Sequence, residues 1–334
     1  MSTDIVIETT RGNAVESRHL AHVAVCDGAG TAVLLGGEVE RPVFPRSAVK
    51  VFQAIPLIEK GAADALGLDV ADLSLACASH SGEPGHVERA AAVLAKAGLG
   101  ETHLECGCHW PFEQRVALTL ARAGEEPNQL HNNCSGKHAG FLCTAVHQGE
   151  DPRGYVAAAH PVQRRVRDVL ADLTRTRPGD DQPAGIDGCS IPTYAAPLRS
   201  FAEGFARLAS GQRVDGGRAA AGQRLMAACM AEPWLMAGTR RACVSLMEAA
   251  PGRVFAKTGA EGVFCGAVPE LGLGFALKID DGATRAAEAT VAAVLARIWR
   301  PHDAALAERY DALSRTTLRN WEGTAVGEIR ATGL

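Results

Sequence analysis

Strand-like segments stand at both ends of this chain and helical spacing fills its middle, and that arrangement constrains the fold more than any other feature. Ile5–Glu8, Ala21–Cys26 and Thr31–Leu35 alternate as half-buried strands do, with Asp27-Gly28-Ala29-Gly30 as a tight hairpin connection. Arg253–Lys257, Gly262–Val268 and Gly274–Ile279 repeat the pattern near the other end, and Thr284–Trp299 follows as an amphipathic helix. Between these groups, helices are expected from Ser47 onward, over Gly85–Ala97, Ser135–His147, Pro161–Thr174, Pro197–Ala209 and Gly217–Ala231. Pro56 should end or kink the first of them, because its ring removes a backbone donor. The simplest architecture is α+β: one antiparallel sheet built from both chain ends and flanked by helices, with a mainly helical lobe over about residues 60–250 inserted. Thr174–Gly185 is the best loop but a poor boundary, since the sheet needs both halves, so residues 1–334 read as a single catalytic domain.

Composition excludes several classes. At 334 residues and 47% hydrophobic the chain can bury a substantial core, and a net charge of -4 offers no basic stripe to a phosphate backbone, so no nucleic-acid partner is expected. The start carries an acidic residue at position 4, no basic cluster and no apolar run of leader length. No stretch reaches the roughly 18 uncharged apolar residues that span a bilayer. These features predict a cytoplasmic protein without a membrane segment, in which the 10 cysteines stay reduced and serve packing, metal binding or catalysis. Of 34 basic residues only Lys50, Lys60, Lys96, Lys137, Lys257 and Lys278 are lysine. Where a mere positive charge is wanted the chain uses arginine, which marks the lysines as candidates for what arginine cannot do: lose a proton, act as a base or bind a metal.

Three motifs carry chemistry. Ser47-Ala48-Val49-Lys50 is the chain's Ser-x-x-Lys, and on a helix i and i+3 share a face, so an amine can take the proton of a hydroxyl nucleophile. Lys257-Thr258-Gly259 stands at the end of a predicted strand; in penicillin-recognising serine enzymes a Lys-Thr-Gly strand faces a Ser-x-x-Lys helix across one pocket. The intervening Ser-x-Asn element of that group corresponds to Ser79-His80-Ser81, which departs from it at the third position. The third motif, His131-Asn132-Asn133-Cys134-Ser135-Gly136-Lys137-His138, sets Cys134 at i, i+3 from Lys137 and i, i+4 from His138, with Asp187-Gly188-Cys189 as a source of a second thiolate. Zinc chemistry favours His138 as third ligand, whereas the scarcity of lysine favours Lys137. Cys106-Gly107-Cys108-His109 is a competing cluster whose spacing is not that of a zinc ribbon.

With these segments together, the chain resembles the Rhizobium-type L-asparaginases, the asparaginase II family, through PRSAVKVFQAIPL, ASHSGEPGH, HNNCSGKHAGFL, DGCSIPTYAAPL and KTGAEGVFCGA. The resemblance implies a fold like that of serine β-lactamases and glutaminases, a homodimer, and hydrolysis of L-asparagine to aspartate and ammonia. It implies catalytic roles for Ser47 with Lys50 and for Ser79 with Lys257, and a zinc held by Cys134, Lys137 and Cys189. It places Arg46, His80, His138 and Asp187 in the substrate pocket. A serine-dependent glutaminase, a β-lactamase-like hydrolase and a non-catalytic zinc-stabilised binding protein are the alternatives.

Overall fold

The computed structural model describes residues 5–334, so the acidic residue at position 4 lies outside it. The chain folds as two compact units. The residues up to Ala48, with Ala196–Ser210 and Ser245–Leu334, form a sheet unit; Val49–Ala195 and Gly211–Val244 form a helical unit.

In the sheet unit the strands run Thr316–Arg319, Ala325–Thr332, Ile5–Arg11, Ala14–Asp27, Leu273–Ile279, Val263–Val268 and Phe255–Gly259, and Ala32–Gly36 adds to Ala14–Asp27 to complete 8 strands. Every pairing is antiparallel. The sheet therefore joins the two chain ends, with Val6 opposite Thr332, as the strand pattern of the sequence requires. Ala14–Asp27 is long enough to pair with Ile5–Arg11 through its first half and with Leu273–Ile279 through its second. Val23–Cys26, in that second half, is fully buried. Helix Leu198–Ser210 lies on this part of the sheet. It comes so close that a Cβ on Gly274 would overlap the Ala202 carbonyl and the Ala206 amide, so only glycine fits there. The expected helix Thr284–Trp299 forms with those bounds. Helix Ala304–Leu313 and the terminal hairpin Thr316–Thr332 were not expected from the sequence.

The helical unit is organised by Ser135–His147, which packs on Lys50–Glu59, Val70–Ala76, Pro84–Lys96 and Pro161–Thr174. Its small residues allow this: everything from Ser135 to Ala145 is buried, Lys137 and His138 included. Helix Lys50–Glu59 does not stop at Pro56. All of Lys50–Leu57 is buried and the Lys60 amide donates to the Pro56 carbonyl at 3.0 Å, so packing outweighs the lost donor. Helix Val70–Ala76 is fixed at its start by a reciprocal cap, the Asp72 amide donating to Asp69 Oδ1 at 2.8 Å and the Asp69 amide to Asp72 Oδ2 at 3.1 Å. Among the described residues no helix is long and apolar enough to cross a membrane.

Candidate active site

In the sheet unit Ser47 is the second residue of a 3₁₀ turn, Arg46–Val49, and is half-buried. Arg46 before it has φ +50, a left-handed conformation that a branched or long side chain rarely adopts, so the turn is held by its surroundings and not by local preference. Those surroundings include the Lys257-Thr258-Gly259 strand end. A Cβ on Gly259 would overlap the Pro45 carbonyl oxygen and come within 3.2 Å of the Ala48 amide nitrogen, so the glycine lets the strand lie directly against the Ser47 turn. The Lys257 side chain is buried, with its amine donating to the Thr258 carbonyl at 3.0 Å.

The helical unit gathers the remaining candidates. Lys50 opens helix Lys50–Glu59, and its amine donates to Ser79 Oγ at 2.9 Å and approaches Cys134 Sγ to 3.0 Å, with a short contact to the Ala78 carbonyl. Sequence spacing gave no hint of the Lys50–Ser79 pairing. Ser79 is placed by the segment after helix Val70–Ala76: its amide donates to the Met236 carbonyl at 2.9 Å, and that of His80 to the Asn133 carbonyl at 3.1 Å. Cys134 caps helix Ser135–His147 and its amide donates to Asn132 Oδ1 at 2.8 Å. Asn132 in turn donates to the carbonyls of Cys106 and Gly107, at 2.9 and 3.1 Å. Cys189 sits in the turn between strands Ala184–Ile186 and Pro192–Tyr194, beside Ser190 with φ +74. Lys137 Nζ donates to Cys189 Sγ at 3.0 Å.

Two thiols and two amines are thus packed together without solvent; Lys50, Lys137, Cys134 and Cys189 are each no more than 4% exposed. The two thiols are shifted in opposite directions. Cys134 is held well below the usual thiol range, chiefly because Cys189 donates to it, with Lys137 and Lys50 adding to the effect against burial. Cys189 is pushed up, first by Cys134 and then by burial. Burial pulls the Lys137 amine down, but the thiols of Cys134 and Cys189, with Asp187 behind them, leave it raised. Among the described residues no three His, Cys, Asp or Glu side chains cluster as a metal site; the group beside the two thiols is the Lys137 amine.

His80 has no solvent exposure and its nitrogens are occupied: Nδ1 accepts from the Gly82 amide at 3.1 Å, and Nε2 meets Ser135 Oγ at 2.9 Å. Ser135 Oγ donates its own proton to the Leu130 carbonyl at 2.8 Å, so Nε2 carries the hydrogen of that contact. Burial first, and His86 next, keep the ring neutral. His138 is also fully buried, with Nδ1 2.6 Å from the Tyr155 hydroxyl, and burial depresses it before Lys137 and Lys50 do. Asp187 is half-buried, and its Oδ1 accepts from the Gly188 amide at 2.8 Å. Tyr155 and Asn132 were missed by sequence reasoning: Tyr155 lies in no recognisable motif, and Asn132, although inside the His131–His138 motif, was given no role there.

No curated protein matches the chain. Among solved structures it is similar to Mglu in its tris and glutamate form, with 14% identity, 84% of this chain and 59% of that chain covered, and a TM-score of 0.45. It is similar to a second Mglu structure at 13% identity, covering 77% of this chain and 60% of that one, TM-score 0.40. A third is a probable glutaminase from Bacillus subtilis complexed with 6-diazo-5-oxo-L-norleucine, at 13% identity, 77% and 76% coverage and a TM-score of 0.31. The chain spans 60% or less of the length of these Mglu structures. The profile of the L-asparaginase II family matches residues 7–331, a span that holds the Ser47 turn, the Cys134 and Cys189 segments and the Lys257 strand; the chain belongs to the L-asparaginase II family.

Proposed function

We propose that this protein hydrolyses the side-chain amide of L-asparagine, giving aspartate and ammonia through an acyl-enzyme on Ser47. Family membership over residues 7–331 supports a hydrolase acting on amides, and the buried hydrogen bond from Lys50 to Ser79, 2.9 Å long, is the observation that carries the mechanism. Lysine on that helix is in a place where a neutral amine can move protons between hydroxyls, a role closed to guanidinium. In the proposed sequence Lys50 takes the Ser47 proton as the serine oxygen attacks the carboxamide carbon. Ammonia leaves, and water activated by Lys50 or by the Ser79–Lys257 pair cleaves the ester. The backbone amide of Ser47 and one from the strand after Lys257 are the proposed oxyanion donors, a role that the close packing of Gly259 on the Pro45–Ala48 turn supports. Arg46 and Asp187 are proposed to hold the α-carboxylate and α-amino groups. His80, with both nitrogens used inside the protein, serves by fixing the loop that carries Ser79.

Zinc belongs to the same proposal. Cys134, Cys189 and Lys137 converge as two soft sulfurs and an amine, a donor set that fits zinc once Lys137 and the thiols give up their protons. Bound there, zinc would supply a fixed positive charge that orients substrate. A homodimer and a cytoplasmic location are carried as part of the proposal.

Ammonia release measured with L-asparagine and L-glutamine tests the reading. One methylene in a pocket that fixes the amino-acid head group changes kcat/KM by about 10–200-fold. Asparagine should lead by that margin; glutamine equal to it or better makes the protein a glutaminase. Ser47→Ala should lose about three to six orders of magnitude in kcat, and Lys50→Arg nearly as much despite its charge. Near-wild-type turnover in either variant removes the mechanism.

A further inference from the structure

His138 Nε2 has no hydrogen-bond partner, although the residue has no solvent exposure. A buried polar atom left unmade costs more than an ordinary hydrogen bond returns, so such an atom beside a polar cluster marks a partner that arrives with a ligand. Which kind of partner depends on whether Nε2 carries a hydrogen, and Tyr155 decides that. The Tyr155 oxygen lies 2.6 Å from His138 Nδ1 and accepts the Glu105 amide at 2.9 Å. If the phenol donates to Nδ1, every polar group of the pair is satisfied except Nε2–H. If instead Nδ1–H donates to the phenol, the Tyr155 hydrogen and the Nε2 lone pair are both left without partners. A doubly protonated ring strands two hydrogens as well. The first arrangement leaves one group unmade and the others leave two, so the hydrogen sits on Nε2.

The phenol is well placed to enforce this. Tyr155 is fully buried, its carbonyl accepts Gln163 Nε2 at 2.9 Å, and its ring meets the imidazole edge-on at 5.4 Å between centroids. Phe141 lies 5.8 Å from the same imidazole, also edge-on. A ring held in this way cannot turn to exchange its nitrogens without breaking the Tyr155 bond.

We propose that Tyr155 is a positioning residue that holds His138 as its Nε2–H tautomer, so that the ring offers a buried hydrogen-bond donor to an acceptor oxygen of the bound amino-acid substrate. This rests on the amidohydrolase reading for the identity of the ligand. It also separates His138 from the metal: a nitrogen that carries hydrogen is not a ligand, which leaves Lys137 as the third donor beside Cys134 and Cys189.

The test is a two-bond ¹H–¹⁵N spectrum of the full-length protein labelled at histidine, with His138 assigned through His138→Gln and L-aspartate, the product, as the probe. The wild type should show His138 as the Nε2–H tautomer, and L-aspartate should shift the Nε2–H signal. Tyr155→Phe should give a mixture of tautomers and raise KM for asparagine by about 3–10-fold, the loss of one hydrogen bond, with a much smaller change in kcat. His138→Gln should raise KM by itself, and adding Tyr155→Phe to it should have no further effect, because the phenol acts only through the imidazole. An Nδ1–H tautomer in the wild type overturns the proposal, as does a signal unmoved by L-aspartate, or a Tyr155→Phe cost that is the same in the His138→Gln background. A protein that releases no ammonia from asparagine defeats the functional reading, and the tautomer measurement still decides the role of Tyr155.

Discussion

Cys106 and Cys134 lie in the same unit and are equally hidden, at 1% and 4% exposure, yet their thiols move in opposite directions. Burial pushes Cys106 up to about 12, and its sulfur finds only the Gln129 carbonyl, 3.6 Å away. Cys134 goes down, because Cys189 donates to it and two lysine amines stand beside it. Burial thus fixes how strongly a thiol feels its neighbours, and the neighbours fix the sign. Cys108, the other sulfur of the competing cluster, is exposed and donates to the Pro127 carbonyl at 3.0 Å. The two cysteine clusters therefore differ in their partners: Cys134 and Cys189 meet each other and lysine amines, whereas Cys106 and Cys108 meet backbone carbonyls.

The comparison can be broken most decisively through the metal. Cys134→Ser and Cys189→Ser should each reduce zinc from about one per chain to background and cut kcat/KM by about 100-fold or more, since removing an outer support alone costs ~10–100-fold. Elemental analysis reads this directly. Metal retained in both variants but lost in a Cys106→Ser, Cys108→Ser double variant would exchange the two clusters.

Buried histidines sharpen the same lesson, because His80 is hidden with no counter-charge and is held neutral. Its folded pKa lies below the unfolded value of 6.5, so the unfolded chain binds the extra proton, and stability present above that pH falls as pH drops below it. Each histidine of this kind, His138 included, contributes a slope of at most about 1.4 kcal/mol per pH unit. Urea midpoints between pH 7 and 5 should fall accordingly, and a flat profile would show that these rings charge freely in the folded protein. The smallest effect belongs to the competing cluster. Cys108→Ser should stay within about 0.5 kcal/mol of the wild type and Cys106→Ser should lose about 1–2 kcal/mol in the same denaturation, both with zinc intact.

Much of this was legible in the sequence, for identifiable reasons. Helices Ser135–His147, Pro161–Thr174 and Thr284–Trp299 have the expected bounds because spacing and end signals agree. The sheet was readable because its central strands are short apolar runs bounded by glycines; they are buried almost throughout, as at Val23–Cys26 and Val263–Val268, instead of alternating. The hairpin Thr316–Thr332 was not: Thr316–Arg319 is largely exposed and the partner strand carries Gly327 and Glu328, so no apolar alternation marks it. In the site, motif spacing leaves Lys137 and His138 open beside Cys134 and the resemblance implies Lys137; the structure sets the Lys137 amine against Cys189, and spacing cannot show that Lys50 meets a sulfur 84 positions away. Nor could it show Tyr155, whose role comes from one hydroxyl reaching across to another element.

The helix Ser135–His147 has one more consequence, in time instead of space. With eleven consecutive residues from Ser135 to Ala145 buried among the surrounding helices, it has no free face from which to fray. Its amides should be among the slowest in the helical unit to exchange with heavy water, reporting the opening of the whole unit and not a local breath. The two side chains it carries into the cluster, Lys137 and His138, keep their places for as long as that unit stays folded.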